Sequence, residues 1–251
     1  MRTPFIVGNW KMNLTLSEVN DFLKQLTDKL PDIKKVECAI AASPIFLESL
    51  TNYCKNSPLK ASAENCFYKD KGAYTGEVSP YALSDMGVDY VMLGHSERRK
   101  YFNESNKSIN KKVKAVLNNH MIPIICCDET MTKQKHDDHM DWVVNPVSEA
   151  LKGVSVSDAK KIVIGYEPSW AIGTGKSASV NETQEACCLI RKTIDELYND
   201  DVANQVRILY GGSVNDKNAQ ELMQQKDVDG VLAGTASLKP KEFLKIINYI
   251  K

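Results

Sequence analysis

Eight short apolar runs, each followed by a longer polar stretch with helical spacing, recur through 251 residues without a linker, low-complexity tract or shift in composition. That pattern predicts an α/β fold, a single closed (β/α)8 barrel of eight parallel strands spanning residues 1–251. Strict alternation of strand and helix favours a parallel sheet, because parallel neighbours need a crossover connection. Eight units in about 250 residues suit a closed barrel better than an open sheet.

The strands are read in order as "PFIVGNW" from Pro4, "VECAIAA" from Val36, "LKASAEN" from Leu59, "VDYVMLG" from Val88, "MIPIICC" from Met121, "KIVIGY" from Lys161, "VRILYGG" from Val206 and "VDGVLAG" from Val228. Their β-branched, near-continuous apolar character is that of strands buried on both faces. Between them, "SEVNDFLKQLTDKL" from Ser17 and "ETQEACCLIRKTIDELY" from Glu182 carry helical periodicity, with Ser17 and Asn181 as expected N-caps. The stretch from Cys66 to Ser79 breaks the rhythm. It is far longer than a usual βα loop, and its aromatics Phe67, Tyr68 and Tyr74 argue for an ordered loop reaching into a second subunit.

Charge gives no overall field: 32 basic residues balance 32 acidic ones. Neither nucleic acid nor an anionic membrane surface is expected as a partner, and any anion must be held locally. The opening residues do not read as a secretory signal, and no run of about 18 apolar residues occurs, so a cytoplasmic protein is expected. The seven cysteines, Cys38, Cys54, Cys66, Cys126, Cys127, Cys187 and Cys188, include two adjacent pairs and no C-x-x-C. That spacing suits reduced, largely buried thiols better than a disulfide framework or a zinc site.

In a barrel of this kind, function sits at the C-terminal ends of the strands. Those ends carry Asn9, Trp10 and Lys11; Gly94, His95, Ser96 and Glu97; Glu167; Gly211, Gly212 and Ser213; and Gly234 and Thr235. A carboxylate, an imidazole, an ammonium and an amide converging on one mouth make an acid–base site with electrostatic support. "GHSERRKYF" reads as a turn entering a short helix, whose amide dipoles disfavour positive charge on His95 and leave it a hydrogen-bond donor. The glycine turns "YGGSV" and "AGTAS", after the last two strands, suit a phosphate bound by backbone N–H groups. In "GYEPSWAIGTGKS" from Gly165, Pro168 stiffens the strand exit. Ser169, Trp170, Ala171, Ile172, Gly173, Thr174, Gly175 and Lys176 then form an expected lid that excludes water over Glu167.

"GNWKMN", "GAYTGEVS", "LGHSERR", "YEPSWAIGTGK" and "YGGSV" occur in an order that resembles the triosephosphate isomerase family, whose fold is the TIM barrel. The resemblance covers the chain from Gly8 to beyond Gly234. It implies that Glu167 is the base moving a proton between C1 and C2 of a triose phosphate and that His95 is the neutral electrophile, with Lys11, Asn9 and Glu97 in the same pocket. It further implies that Gly173, Ser213, Gly234 and Thr235 grip the phosphate and that Ile172 and Leu232 clamp over Glu167. No metal, nucleotide or redox cofactor is implied. A homodimer is, with Thr75 of the long loop docking beside Lys11 and His95 of the other copy. Four residues depart from the family pattern: Ser169 after Glu-Pro, Thr235 for a glycine, Asp128 for a glycine and Asn103 for a glycine.

Other readings remain on residues alone. A Schiff-base aldolase needs a buried lysine where Glu167 stands, and a metal-dependent epimerase needs His and Asp ligands on several strand ends. A non-catalytic barrel would lack at least one of Asn9, Lys11, His95, Glu97 and Glu167, all of which are present.

Overall fold

The computed structural model describes residues 2–129, 139–168 and 178–249. Strands β1 (Phe5–Asn9), β2 (Glu37–Ala42), β3 (Leu59–Ala63), β4 (Tyr90–Leu93), β5 (Ile122–Glu129), β6 (Val163–Pro168), β7 (Arg207–Tyr210) and β8 (Gly230–Ala233) pair in sequence order and close into a parallel barrel. The expected fold is therefore observed. β5 and β6 run two residues past the apolar stretches that announce them, because their ladder continues through Asp128↔Glu167 and Glu129↔Pro168.

Helices fill the crossovers. α1 (Leu16–Leu26) follows β1, α2 (Leu47–Cys54) follows β2 and α3 (Pro80–Asp85) follows β3. α4 (Ser96–Phe102) and α5 (Asn106–Asn118) follow β4, α6 (His139–Leu151) and α7 (Val156–Ala159) follow β5, and α8 (Val180–Leu197) and α9 (Asp200–Ala203) follow β6. α10 (Ala219–Met223) follows β7, and a 3-10 turn (Thr235–Leu238) with α11 (Pro240–Ile247) closes the set. α1 buries Val19, Phe22, Leu23 and Leu26, the i, i+3, i+4, i+7 stripe of a helix lying on a sheet. None of these helices is long and apolar enough to cross a membrane.

Two expected caps are corrected. α1 starts from Thr15, not Ser17, and α8 from Ser179, not Asn181. In each case the hydroxyl accepts from the N–H of a glutamate three residues on, and that glutamate accepts from the cap's own N–H at 2.7 Å. Thr15-x-x-Glu18 and Ser179-x-x-Glu182 are capping boxes, whose reciprocal bonds satisfy two otherwise free donors.

The strand period of two sorts the core. Phe5, Val7, Ala39, Ala41, Tyr90, Met92, Ile124, Cys126, Val163, Leu209 and Leu232 fill the barrel, while Ile6, Ile40, Val91, Ile125, Ile164 and Ile208 pack outward with the helices. Cys126 and Cys127 thus face opposite sides of one strand. At the N-terminal ends of the strands the inward positions turn polar. Tyr90 Oη donates to Glu37 Oε1 at 2.5 Å, and Arg207 donates to Glu37 Oε2 at 2.5 Å and to Tyr90 Oη at 3.0 Å. The Arg207 guanidinium also lies 4.4 Å from the centre of the Phe5 ring. This cluster floors the barrel, and its internal pairing makes charge tolerable there.

Candidate active site

The alternation that sends Phe5 and Val7 inward delivers Asn9 to the opposite end of the barrel, and Val163–Gly165–Glu167 does the same for Glu167. Glu167 is fully buried and Asn9 nearly so. Just past β1 the chain turns through Lys11, whose φ of 53° lies in the left-handed region. Asn9 Oδ1 secures that turn by accepting from the Lys11 N–H at 3.1 Å. The Lys11 ammonium reaches across to Glu97 Oε1 at 2.8 Å.

His95 is placed by the turn before α4. Gly94 has a φ of 73°, and a Cβ there would meet Ile109 Cδ1 at 2.6 Å, so glycine is required on both counts. Arg99 braces the turn, donating to Gly94 O at 2.7 Å, to Asn106 Oδ1 at 2.6 Å and to Cys126 O at 3.0 Å. His95 caps α4 itself: its Nδ1 accepts from the Glu97 N–H at 3.3 Å. An imidazole that accepts at Nδ1 is neutral and carries its proton on Nε2. That nitrogen stands 3.1 Å from Glu167 Oε1.

The two oxygens of Glu167 differ. Oε2 accepts from the Ser96 backbone N–H at 2.8 Å. Oε1 is buried with no hydrogen-bond partner. A buried carboxylate oxygen without a donor retains its capacity to take a proton. Burial, with the Glu167 charge adding to it, holds the neighbouring Cys126 thiol protonated. Gly211 leaves room for the carboxylate: a Cβ there would lie 3.0 Å from Glu167 Cγ and 3.1 Å from Tyr166 O.

Across the mouth, Gly211, Gly212, Ser213, Leu232, Gly234 and Thr235 join Asn9, Lys11, His95 and Glu167 around a cavity of ≈ 250 Å³. Gly212 is glycine because a Cβ would sit 2.1 Å from Tyr210 Oη, so this glycine serves protein packing first. Gly234 and Thr235 open the 3-10 turn after β8, where the first N–H groups have no partner within the turn. Thr235 is exposed at the rim. Thr235→Gly is expected to shift the affinity of a phosphate-bearing enediolate mimic more than it shifts kcat. Inhibition assays beside steady-state kinetics check this, and equal inhibitor affinity would reject a role for Thr235 in phosphate binding.

Asn9, Lys11, His95, Glu97, Glu167, Ser213, Gly234 and Thr235 therefore lie around one end of the barrel, with Pro168 ending β6. Ser169, Trp170, Ala171, Ile172, Gly173, Thr174, Gly175 and Lys176 lie outside the described residues. Thr75 stands apart, exposed on the long connection between β3 and α3. Asn103, where a glycine was expected, adopts φ 52° and ψ 35° at the end of α4, a conformation asparagine tolerates. Sequence reasoning gave no role to the Ser96 N–H, the Cys126 thiol or the Arg99 brace. Among the described residues no group of three or more His, Cys, Asp or Glu side chains could hold a metal ion.

A protein-family model described as triosephosphate isomerase matches residues 4–250. Proteins named triosephosphate isomerase from Pediococcus pentosaceus and Lactiplantibacillus plantarum are 51% and 50% identical over 249 residues, 99% of this chain and 99% of theirs. The protein of that name from Lacticaseibacillus casei is 50% identical over the same share of both chains. A match along nearly the full length, on a closed barrel whose mouth assembles these side chains, places the chain in the triosephosphate isomerase family.

Proposed function

We propose that this chain interconverts dihydroxyacetone phosphate and D-glyceraldehyde 3-phosphate by proton transfer through an enediolate. The observation that carries the reading is the fully buried Glu167 with its unpartnered Oε1 beside the Nε2–H of a neutral His95. Glu167 takes a proton from one carbon and returns it to its neighbour. The negative charge that forms on the substrate oxygens between those events is met by the His95 N–H, the Asn9 amide and the Lys11 ammonium. The phosphate binds at Ser213, Gly234, Thr235 and Gly173, and its binding energy orients the reacting carbons under the lid. Glu97 holds the Lys11 ammonium at 2.8 Å and gives its own N–H to His95, so it orders both partners of the charge. The test is an assay of purified protein in both directions, with rapid turnover expected; a folded but inactive protein would overturn the reading.

The family match over residues 4–250 supports reading residues 1–251 as one domain. The reaction as drawn uses protein groups alone. The seven cysteines, with no C-x-x-C among them, fit a reducing compartment such as the cytoplasm. Burial pushes Cys38, Cys54 and Cys66 up to about 12 and Cys126 and Cys187 well above their ordinary range.

The working form in this reading is a homodimer. A second cavity, of ≈ 440 Å³, borders Lys11, His95 and Glu97 on the side away from the phosphate wall. Met12, Ile45 and Phe102, 95%, 78% and 65% exposed, are apolar residues on that side of the barrel, where Met12 and Phe102 line the cavity. The Thr75 loop of a second copy is the occupant favoured here. Its backbone is pinned by Phe67 N–H to Val78 O at 2.8 Å, and Phe67 stacks against Tyr68 and Tyr74, so it enters preformed. Dilution to monomers is expected to lower specific activity; monomers that light scattering shows to be fully active at the same concentration would refute the dimer's role.

A further inference from the structure

The turn between β4 and α4 holds both His95 and Glu167. His95 belongs to it, and Glu167 Oε2 is tied to it by the Ser96 N–H at 2.8 Å. The turn begins at Gly94, whose φ is 73° and which has no side chain to resist rotation of the peptide unit leading into His95. The anchor is Arg99, one helical turn further on. Its Nε donates to Gly94 O at 2.7 Å, its Nη1 to Asn106 Oδ1 at 2.6 Å and its Nη2 to Cys126 O at 3.0 Å, while its backbone N–H donates to His95 O at 3.1 Å.

The bond to Cys126 explains why a guanidinium stands here. β4 and β5 pair as far as Leu93↔Ile125, and β5 then continues along β6 to Glu129. The Cys126 carbonyl therefore lies beyond the β4 ladder, where the chain leaves the sheet to carry His95, and Arg99 supplies its donor. One planar fork spans the two strands after their own pairing stops. Cys126 pairs with Gly165 and Asp128 with Glu167. A closed circuit thus runs from the turn through Arg99 to β5, across to β6 and Glu167, and back through the Ser96 N–H.

We propose that Arg99 is a positioning residue for the proton transfer: by bridging Gly94 O and Cys126 O it sets the separation of His95 Nε2 and Glu167 Oε1, which is 3.1 Å. The inference rests on the catalytic reading above, in which those two groups act on one substrate. It works through shape rather than charge, since the three side-chain acceptors are uncharged and a lysine ammonium has no rigid fork to span them. Arg99 stands behind the turn, and the described residues lining the mouth do not include it. Its loss should therefore spare substrate binding.

The test is steady-state kinetics on Arg99→Ala and Arg99→Lys beside the parent. Both are expected to lower kcat about 10- to 100-fold with KM within a few-fold, the cost of misplacing reacting groups without touching those that bind. Guanidinium chloride below its denaturing range should restore much of the kcat of Arg99→Ala, and sodium chloride at equal ionic strength should not. A parent-like kcat in Arg99→Ala overturns the proposal. So does a parent-like kcat in Arg99→Lys, because charge alone would then suffice. If Arg99→Ala does not fold, Asn106→Ala decides: it frees one arm of the fork, and a several-fold loss of kcat at constant KM supports positioning while an unchanged kcat rejects it. NMR of isotope-labelled histidine reads the geometry without turnover. The His95 Nε2 signal should shift in Arg99→Ala and return with guanidinium, and a signal that stays in place rejects the proposal. An inactive parent would overturn the catalytic reading instead, and the same signal would still report the Arg99 anchor.

Discussion

Glu167→Gln lowers kcat by about 10³- to 10⁴-fold in both directions while leaving KM within a few-fold, the expected cost of losing the general base, equivalent to about 4–5.5 kcal/mol of barrier. The amide keeps the length and shape of the side chain, and its oxygen still accepts from the Ser96 N–H that now holds Oε2 at 2.8 Å. Its nitrogen then takes the place of Oε1, 3.1 Å from His95 Nε2. Two N–H donors face each other there, and neither can take a proton from carbon. The residues proposed to hold the phosphate, Ser213, Gly234 and Thr235, lie elsewhere around the cavity and are untouched, so substrate is still expected to bind. Steady-state kinetics in both directions check this, and a loss of less than tenfold would mean that another group is the base.

The second large effect concerns the barrel itself. A Cβ on Gly230 would lie 1.9 Å from Phe5 O and 2.6 Å from Leu209 Cδ2. Gly230 pairs with Phe5 on one side and Leu209 on the other, so the closest obstacle is the backbone of a neighbouring strand and no rotamer change removes it. Gly230→Ala must push β1 away from β8 close to where Phe5, Tyr90 and Arg207 pack together. A destabilisation of about 3 kcal/mol or more is expected, lowering Tm by roughly 6–12 °C. Gly165→Ala is the matching control on β6, because its nearest neighbour would be Cys126 Sγ at 3.5 Å, an ordinary contact. Thermal melts of the two variants decide the matter. Equal Tm values would show that the closure between β1 and β8 yields easily.

Much of this architecture is legible in the sequence, for a physical reason. A strand buried on both faces must be apolar at nearly every position, which marks its run in the text, and the polar residues that end such runs are the ones the barrel turns toward its mouth. Asn9, His95 and Glu167 were found in that way. What escaped was carried by backbone or by distant partners. Ser96 anchors Glu167 through its N–H, which every residue except proline possesses. The glycines at 211 and 212 suggested a phosphate, yet the side chains of Glu167 and Tyr210 already require them. The acidic ends of β5 and β6 hid two further ladder positions, and the hydroxyls of Thr15 and Ser179 stand two residues ahead of the expected caps.

The floor of Glu37, Tyr90 and Arg207 has a kinetic consequence. Among the described residues, the barrel is packed by side chains above it and closed by this bonded cluster beneath, so no passage runs along its axis. Product must leave by the way substrate came in, and the two triose phosphates cannot occupy the chamber together. Each is therefore a competitive inhibitor of the other's conversion, and traffic through the barrel cannot relieve it.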